Sequence, residues 1–215
     1  MASKFYAVKT GRNPGIYHTW EECRKQILGF SGARYKSFAT MEEAEAFIKP
    51  GENETMEVDE DTLTAYVDGS FCKDNETFSY GMVIVQKQQD DLYFARKYED
   101  PDLAAMRNVP GEIKGAEAAM KYALDRGYKK LMIYYDYEGI EKWCTGEWKT
   151  NKEGTRAYKA FYDEEKKNLG IRFVKVKGHS NDKYNDMADM LAKSALGIGD
   201  GSFEPKDGDQ WEMVK

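Results

Sequence analysis

Cysteine, histidine and proline are all scarce in this chain of 215 residues, which holds three, two and five of them. Cys23, Cys72 and Cys144 stand far apart with no C-x-x-C spacing, so neither a zinc ribbon nor a dithiol pair is available. Reduced, structural thiols of a cytoplasmic protein are expected instead. Long apolar runs are missing as well. No window approaches the roughly 18 apolar residues of a membrane span, and the N-terminus carries no apolar signal region. An excess of one charge sign is absent from most of the chain, although the net charge is −6. Residues 1–49 hold eight Lys/Arg against five Asp/Glu, residues 50–61 six acids and no base, and residues 62–196 twenty-two of each sign. Residues 197–215 hold two bases and five acids, so the acidity belongs to a connector and a tail. The basic N-terminal segment fits a nucleic-acid contact, and the chain reads as 1–49, a linker 50–61, a main domain 62–196 and a tail 197–215.

What is present in residues 4–49 is a compact αβ pattern. Lys4–Lys9 alternates as a strand, Asn13-Pro14-Gly15 is a turn, and Ala33–Phe38 reads as a second strand. Thr19-Trp20-Glu21-Glu22 and Thr40-Met41-Glu42-Glu43 both have capping-box spacing and open helices. Aromatic and basic residues interleave at Tyr6, Lys9, Arg12, Trp20, Arg34, Tyr35 and Lys36. Bases attract phosphate and rings pack on sugar or base, but the same rings could equally form the small core. The acidic linker reads either as a segment held extended by self-repulsion or as a plain solubilising tether.

From Thr62 onward the elements lengthen. Strands are expected near 64–71, 79–88 and 92–98 as a meander, then a helix after Pro110-Gly111, a buried strand Leu131–Tyr135, and helices over 138–146 and 155–168. A strand Ile171–Val176 and a last helix from Asn181 to Leu196 complete a mixed sheet flanked by helices. The tail is expected to fray, with Trp211 as its only docking residue.

Four acids recur in settings that could converge. Asp68 follows an alternating strand and precedes Gly69-Ser70, which reads as a turn. Glu112 lies in the first turn of a helix, where an acid is also simply a good dipole partner. Asp136 ends the buried strand, a normal N-cap position. Asp189 lies mid-helix among Ala188, Leu191 and Ala192, where aspartate has poor propensity; Asp186 is on a similar side and spacing alone does not choose between them. Clustered carboxylates need cations or protons between them, and an all-oxygen set suits Mg²⁺ or Mn²⁺ rather than zinc.

Phe5-Tyr6-Ala7-Val8, Gly11-Arg12, Thr19-Trp20-x-Glu22-Cys23 and Ala33-Arg34-Tyr35-Lys36-x-Phe38-x-Thr40 resemble the hybrid-binding (viroplasmin-like) domain found before many type 1 ribonucleases H. Val67-Asp68-Gly69-Ser70, Asn108-x-x-x-Glu112, Asp136, Trp148-Lys149-Thr150, Val176-Lys177-Gly178-His179 and Asn185-x-x-x-Asp189-x-Leu191-Ala192 resemble the catalytic domain of the same family. The resemblance implies an α/β fold: a ribonuclease H-like mixed five-stranded sheet flanked by helices, beside a small αβ domain with a three-stranded antiparallel sheet. It implies an endonuclease that hydrolyses the RNA strand of RNA/DNA hybrids with two Mg²⁺ ions (Mn²⁺ a substitute), leaving 5′-phosphate and 3′-hydroxyl ends. Asp68, Glu112, Asp136 and Asp189 become metal carboxylates by this likeness, and His179 a histidine near the attacking water or product. Substrate contacts carry over to Tyr6, Trp20, Tyr35, Lys36, Asn108, Trp148 and Lys149. Arg34 joins them within the interleaved set, and Ser70 is a turn residue whose backbone or hydroxyl approaches the substrate. Ser37 stands where a second lysine is common, and the long basic insertion of some members is absent. The partner is then the RNA/DNA hybrid, with double-stranded RNA a weaker one. A catalytically silent hybrid- or double-stranded-RNA-binding protein is the alternative, discriminated by cleavage itself.

Overall fold

The computed structural model describes residues 4–30, 33–48, 59–87, 89–176, 182–199 and 206–207. The chain divides into two compact units, Met1–Met56 and Glu57–Lys215. Most of the expected linker, the Lys177–His179 stretch and Trp211 lie outside the described residues.

In the first unit, β1 (Phe5–Thr10) runs antiparallel between β2 (Gly15–Tyr17) and β3 (Arg34–Phe38). The short β2 follows directly on the expected turn; three residues are too few to display alternation, yet Tyr17 pairs with Tyr6 across the sheet. Helices α1 (Trp20–Ile27) and α2 (Met41–Ile48) each start with the expected capping box. The Glu22 N–H donates to Thr19 Oγ1 at 3.3 Å while the Thr19 N–H donates to Glu22 Oε2 at 3.2 Å. Thr40 and Glu43 repeat the exchange at 3.2 and 3.3 Å. Such caps contribute on the order of 1 kcal/mol apiece, a useful share for helices of two turns. Among the described residues, those wholly removed from water here are small ones, Ala7, Val8, Cys23 and Ala44. Trp20 and Tyr35 remain 39% and 46% exposed, so they are surface rather than core.

The second unit is built on the antiparallel meander β4 (Thr62–Cys72), β5 (Thr77–Val85) and β6 (Leu92–Tyr98). Beside β4 lies the parallel strand β7 (Lys130–Tyr135), and beside that β8 (Gly170–Lys175), giving the mixed order β8-β7-β4-β5-β6. A two-residue β9 (Lys206–Asp207) adds to the outer edge of β6. The helices are α3 (Pro101–Ala104), α4 (Val109–Asp125), α5 (Gly139–Cys144), α6 (Glu153–Glu165) and α7 (Lys183–Ala195). One turn of α3, capped by Asp100, and the strand β9 are too short to have shown a period in sequence.

Strand alternation sorts the two faces of this sheet. Leu63, Ala65 and Val67 of β4, with Tyr80, Met82 and Ile84 of β5, pack against α4 and share one core with residues of α5 and α6. Tyr66 and Val83 face the other way, against Ala188 and Leu191 of α7. Asp68 shares the Tyr66 face by the same period.

One expectation is corrected. Gly69-Ser70 is no turn: β4 continues to Cys72, with Gly69 paired to Tyr80 and Ser70 to Ser79, and the reversal comes at residues 73–76. The glycine serves close approach instead. A Cβ on Gly69 would lie 2.4 Å from the Glu112 nitrogen, and one on Gly111 would lie 2.1 Å from the Ser79 carbonyl oxygen, so α4 rests on the backbone of β4 and β5. On the opposite side, a Cβ on Gly81 would lie 2.0 Å from the Ala188 carbonyl oxygen and 2.7 Å from the Ala192 nitrogen of α7. The Ser79 hydroxyl donates to the Ala192 carbonyl at 2.6 Å and ties the same helix down. Gly81→Ala is therefore expected to cost at least the 1–3 kcal/mol typical of overpacking, read as a lowered midpoint in chemical denaturation. A midpoint equal to that of the parent would contradict this packing of α7.

Candidate active site

Asp68 and Gly81 are direct partners across β4 and β5, so the glycine that admits α7 lies beside the aspartate. The contact of Gly69 with Gly111 does the same for α4 and delivers Glu112 from its first turn. Asp136 follows immediately after β7, the strand next to β4 in the sheet. Carboxylate oxygens of Asp68, Glu112 and Asp136 lie within 4.8 Å of one another. Asp136 is not a helix cap, since α5 starts from Glu138, and the N-cap reading of that acid falls away.

Asp189 stands on α7 outside this tight group of three, but its charge acts on Asp68. Of the two acids that spacing leaves open, Asp189 adds its charge to Asp68. Asp189 Oδ2 accepts from Lys193 Nζ at 2.6 Å, one helical turn further on. The lysine went unremarked in the sequence, although an acid and a lysine four residues apart on a helix are a recognisable signal. His179, on the loop before α7, lies outside the described residues.

Burial governs the electrostatics. Asp68 is pushed up to about 7 by loss of solvent and by the charges of Asp136 and Asp189. Opposing that are a hydrogen bond shared with Glu112 and the Gly69 N–H, which donates to Asp68 Oδ1 at 2.7 Å. Glu112, 1% exposed, is held well above the usual carboxylate range, first by burial and then by Asp68. Its Oε2 is buried without a hydrogen-bond partner. An acceptor oxygen desolvated and left unpaired is costly unless a proton or a cation reaches it. Three converging carboxylates with only oxygen donors fit a hard divalent ion, and the unpaired Glu112 oxygen is the place where one would be felt.

Beside Asp136, Tyr137 opens a groove of about 280 Å³ lined also by Met106, Val109, Trp143, Lys149 and Lys152. Lys149 was expected here; Tyr137, Trp143 and Lys152 were not singled out, for a ring following a strand-end acid reads as ordinary core. Trp148 lies 39% exposed and edge-on to Trp143 and Tyr137, at centroid distances of 6.1 and 6.4 Å, with Lys142 over its ring. Asn108 is exposed at the start of α4, its carbonyl accepting the Glu112 N–H at 3.2 Å. Ser70 is buried in β4. In the N-terminal unit, Trp20 lies between Tyr6 and Tyr35 at 5.8 and 5.9 Å, a continuous row of rings, and Lys36 lies over Phe38. Arg34 is half-buried at the start of β3.

Comparison with known proteins is consistent at each level. Residues 4–48 match the family model described as the ribonuclease H1 N-terminal domain, and residues 60–197 match that described as RNase H. Human ribonuclease H1 is 29% identical over 252 aligned positions, covering 88% of each chain. Among solved structures, RNase H1 from the halophilic archaeon Halobacterium salinarum superposes with a TM-score of 0.53 at 23% identity, over 63% of this chain and 98% of that one. LC11-RNase H1, solved in complex with an RNA/DNA hybrid, gives 0.50 at 16% identity over 62% and 99%. With the RNase H match spanning more than half its length, this chain belongs to the ribonuclease H family, a metal-dependent family of hydrolytic ribonucleases.

Proposed function

We propose that the protein hydrolyses the RNA strand of RNA/DNA hybrids, leaving 5′-phosphate and 3′-hydroxyl ends, with Mg²⁺ as its natural ion and Mn²⁺ as a substitute. The observation that carries this reading is the meeting of Asp68, Glu112 and Asp136 within 4.8 Å in a chain of this family. The hybrid bound to LC11-RNase H1 supports the substrate class. Asp68, Glu112, Asp136 and Asp189 are the residues assigned to hold two divalent ions. Bound there, such ions supply Lewis-acid chemistry, activating water for in-line attack on the phosphodiester and stabilising the leaving 3′-oxygen. The protein's own contribution is placement: glycine contacts fix three of the acids on rigid backbone, and burial strengthens every charge interaction among them. His179 is assigned proton handling through its Lys177-Gly178-His179 match.

Along the groove, Lys149 and Lys152 offer cations to the backbone of a strand lying past Trp148. The N-terminal unit, residues 1–49, is assigned the holding of the duplex through Tyr6, Trp20, Tyr35 and Lys36; the exposed rings of Trp20 and Tyr35, in line with the half-buried Tyr6, suit stacking and sugar contact. Residues 62–196 then carry out the chemistry, and the 50–61 linker tethers the two functions. Asn108 and Ser70 remain assigned to the substrate, Ser70 through its backbone, since its side chain is buried.

Asp136→Asn is expected to abolish Mg²⁺-dependent cleavage of a labelled hybrid by at least about a hundredfold while hybrid binding persists. Binding by the parent without any cleavage would instead favour the silent binding protein. Trp20→Ala should weaken hybrid binding yet leave the single-turnover rate at saturating enzyme close to that of the parent, because the ring is outside the N-terminal core. A collapse of that rate would contradict the division of labour.

The pH dependence follows from Asp68. Its value in the folded chain, about 7, lies above its ordinary 3.8, so its contribution to stability is full below the ordinary value and is lost as pH rises through 7. The metal-free protein should lose up to about 1.4 kcal/mol per pH unit while this one group titrates. Melting temperatures measured in chelator should fall from pH 5 to pH 8, Asp68→Asn should flatten the slope, and Mg²⁺ added at pH 8 should restore stability. A slope unchanged by Asp68→Asn would rule out this origin.

A further inference from the structure

Lys193 is the basic group in contact with the fourth acid. Its ammonium lies 2.6 Å from Asp189 Oδ2, one helical turn away on α7. As a fold-stabilising contact the pair is worth little, because the Lys193 and Asp189 side chains are 42% and 23% exposed and water screens them. Its position is what distinguishes it from the other helical pairs of the chain. Asp189 adds its charge to Asp68, at the edge of a cluster in which Glu112 Oε2 already lacks a partner. A mobile cation on a flexible stem therefore occupies the outer side of a group of carboxylates that otherwise repel one another.

We infer that Lys193 is a positioning residue that competes with a divalent ion for Asp189, holding the fourth carboxylate in the metal-free enzyme and yielding it as the more weakly bound ion enters. The inference rests on the metal-binding reading of the four acids given above. Binding an ion at Asp189 must displace the ammonium from Oδ2 or share the carboxylate with it, so the lysine lowers the affinity of that position and makes its occupancy depend on ion concentration. The three tightly grouped acids, which are not members of this ion pair, should be much less affected.

The test is a titration of Mn²⁺ into the metal-free full-length protein, with free ion followed by electron paramagnetic resonance. Lys193→Gln should tighten the weaker Mn²⁺ by about three- to tenfold, and Lys193→Arg should return the affinity to that of the parent, because a guanidinium restores the competing charge. In an Asp189→Asn background, Lys193→Gln should change nothing, which a general effect on folding or net charge would not reproduce. Equal or weaker Mn²⁺ binding by Lys193→Gln, or an undiminished effect in the Asp189→Asn background, overturns the inference while leaving the metal site itself intact. Failure of the parent to bind any Mn²⁺ overturns the metal-binding reading and this inference with it.

Discussion

Like charges brought together away from water repel one another, and backbone packing has to hold them against that repulsion. Here the restraint is the contact of bare backbone at Gly69 with Gly111 and of Gly81 with Ala188. No side chain stands between β4 and α4, or between β5 and α7, at these points. The acids therefore ride on elements whose separation is set by van der Waals contact rather than by adjustable rotamers. The high titration range of Asp68 and the unpaired oxygen of Glu112 follow first from the burial that this packing imposes, and the nearness of the other charges adds to it.

Much of this was legible beforehand, for identifiable reasons. The strand around Asp68 alternates, the run before Asp136 is apolar, and the faces of α1 and α2 open with capping boxes, so local signals and tertiary placement agree. Gly69 misled because its chemistry is the same for two purposes: a residue without Cβ suits a reversal and suits a close crossing equally. Only the partner at Gly111, more than forty residues away, decides between them, and no local window contains both. The row Tyr6–Trp20–Tyr35 posed the same problem, since rings near a small core read identically whether they face in or out. Asp186 and Asp189 stand less than a full turn apart, so spacing leaves both open, and the charge of Asp189 on Asp68 is a tertiary fact that no local window contains.

The two units differ in what holds them together. The larger one buries Tyr80, Met82, Ile84, Leu131, Ile133 and Ile140 on one face of its sheet, an ordinary apolar core able to carry charged groups at its margin. Among its described residues, the smaller one completely buries little beyond Ala7, Val8, Cys23 and Ala44, and leans on its caps and on pairing within three strands.

That contrast bears on how each part can change over generations. With Trp20 and Tyr35 on the outside, the N-terminal unit can exchange either of these rings, proposed above to hold the duplex, with little effect on whether it folds. The acids of the larger unit have no such freedom, because the neutral replacements that relieve their repulsion also remove their chemistry. Under the proposed division of labour, adaptation of affinity and adaptation of catalysis fall on separate stretches of chain, and only the first is cheap.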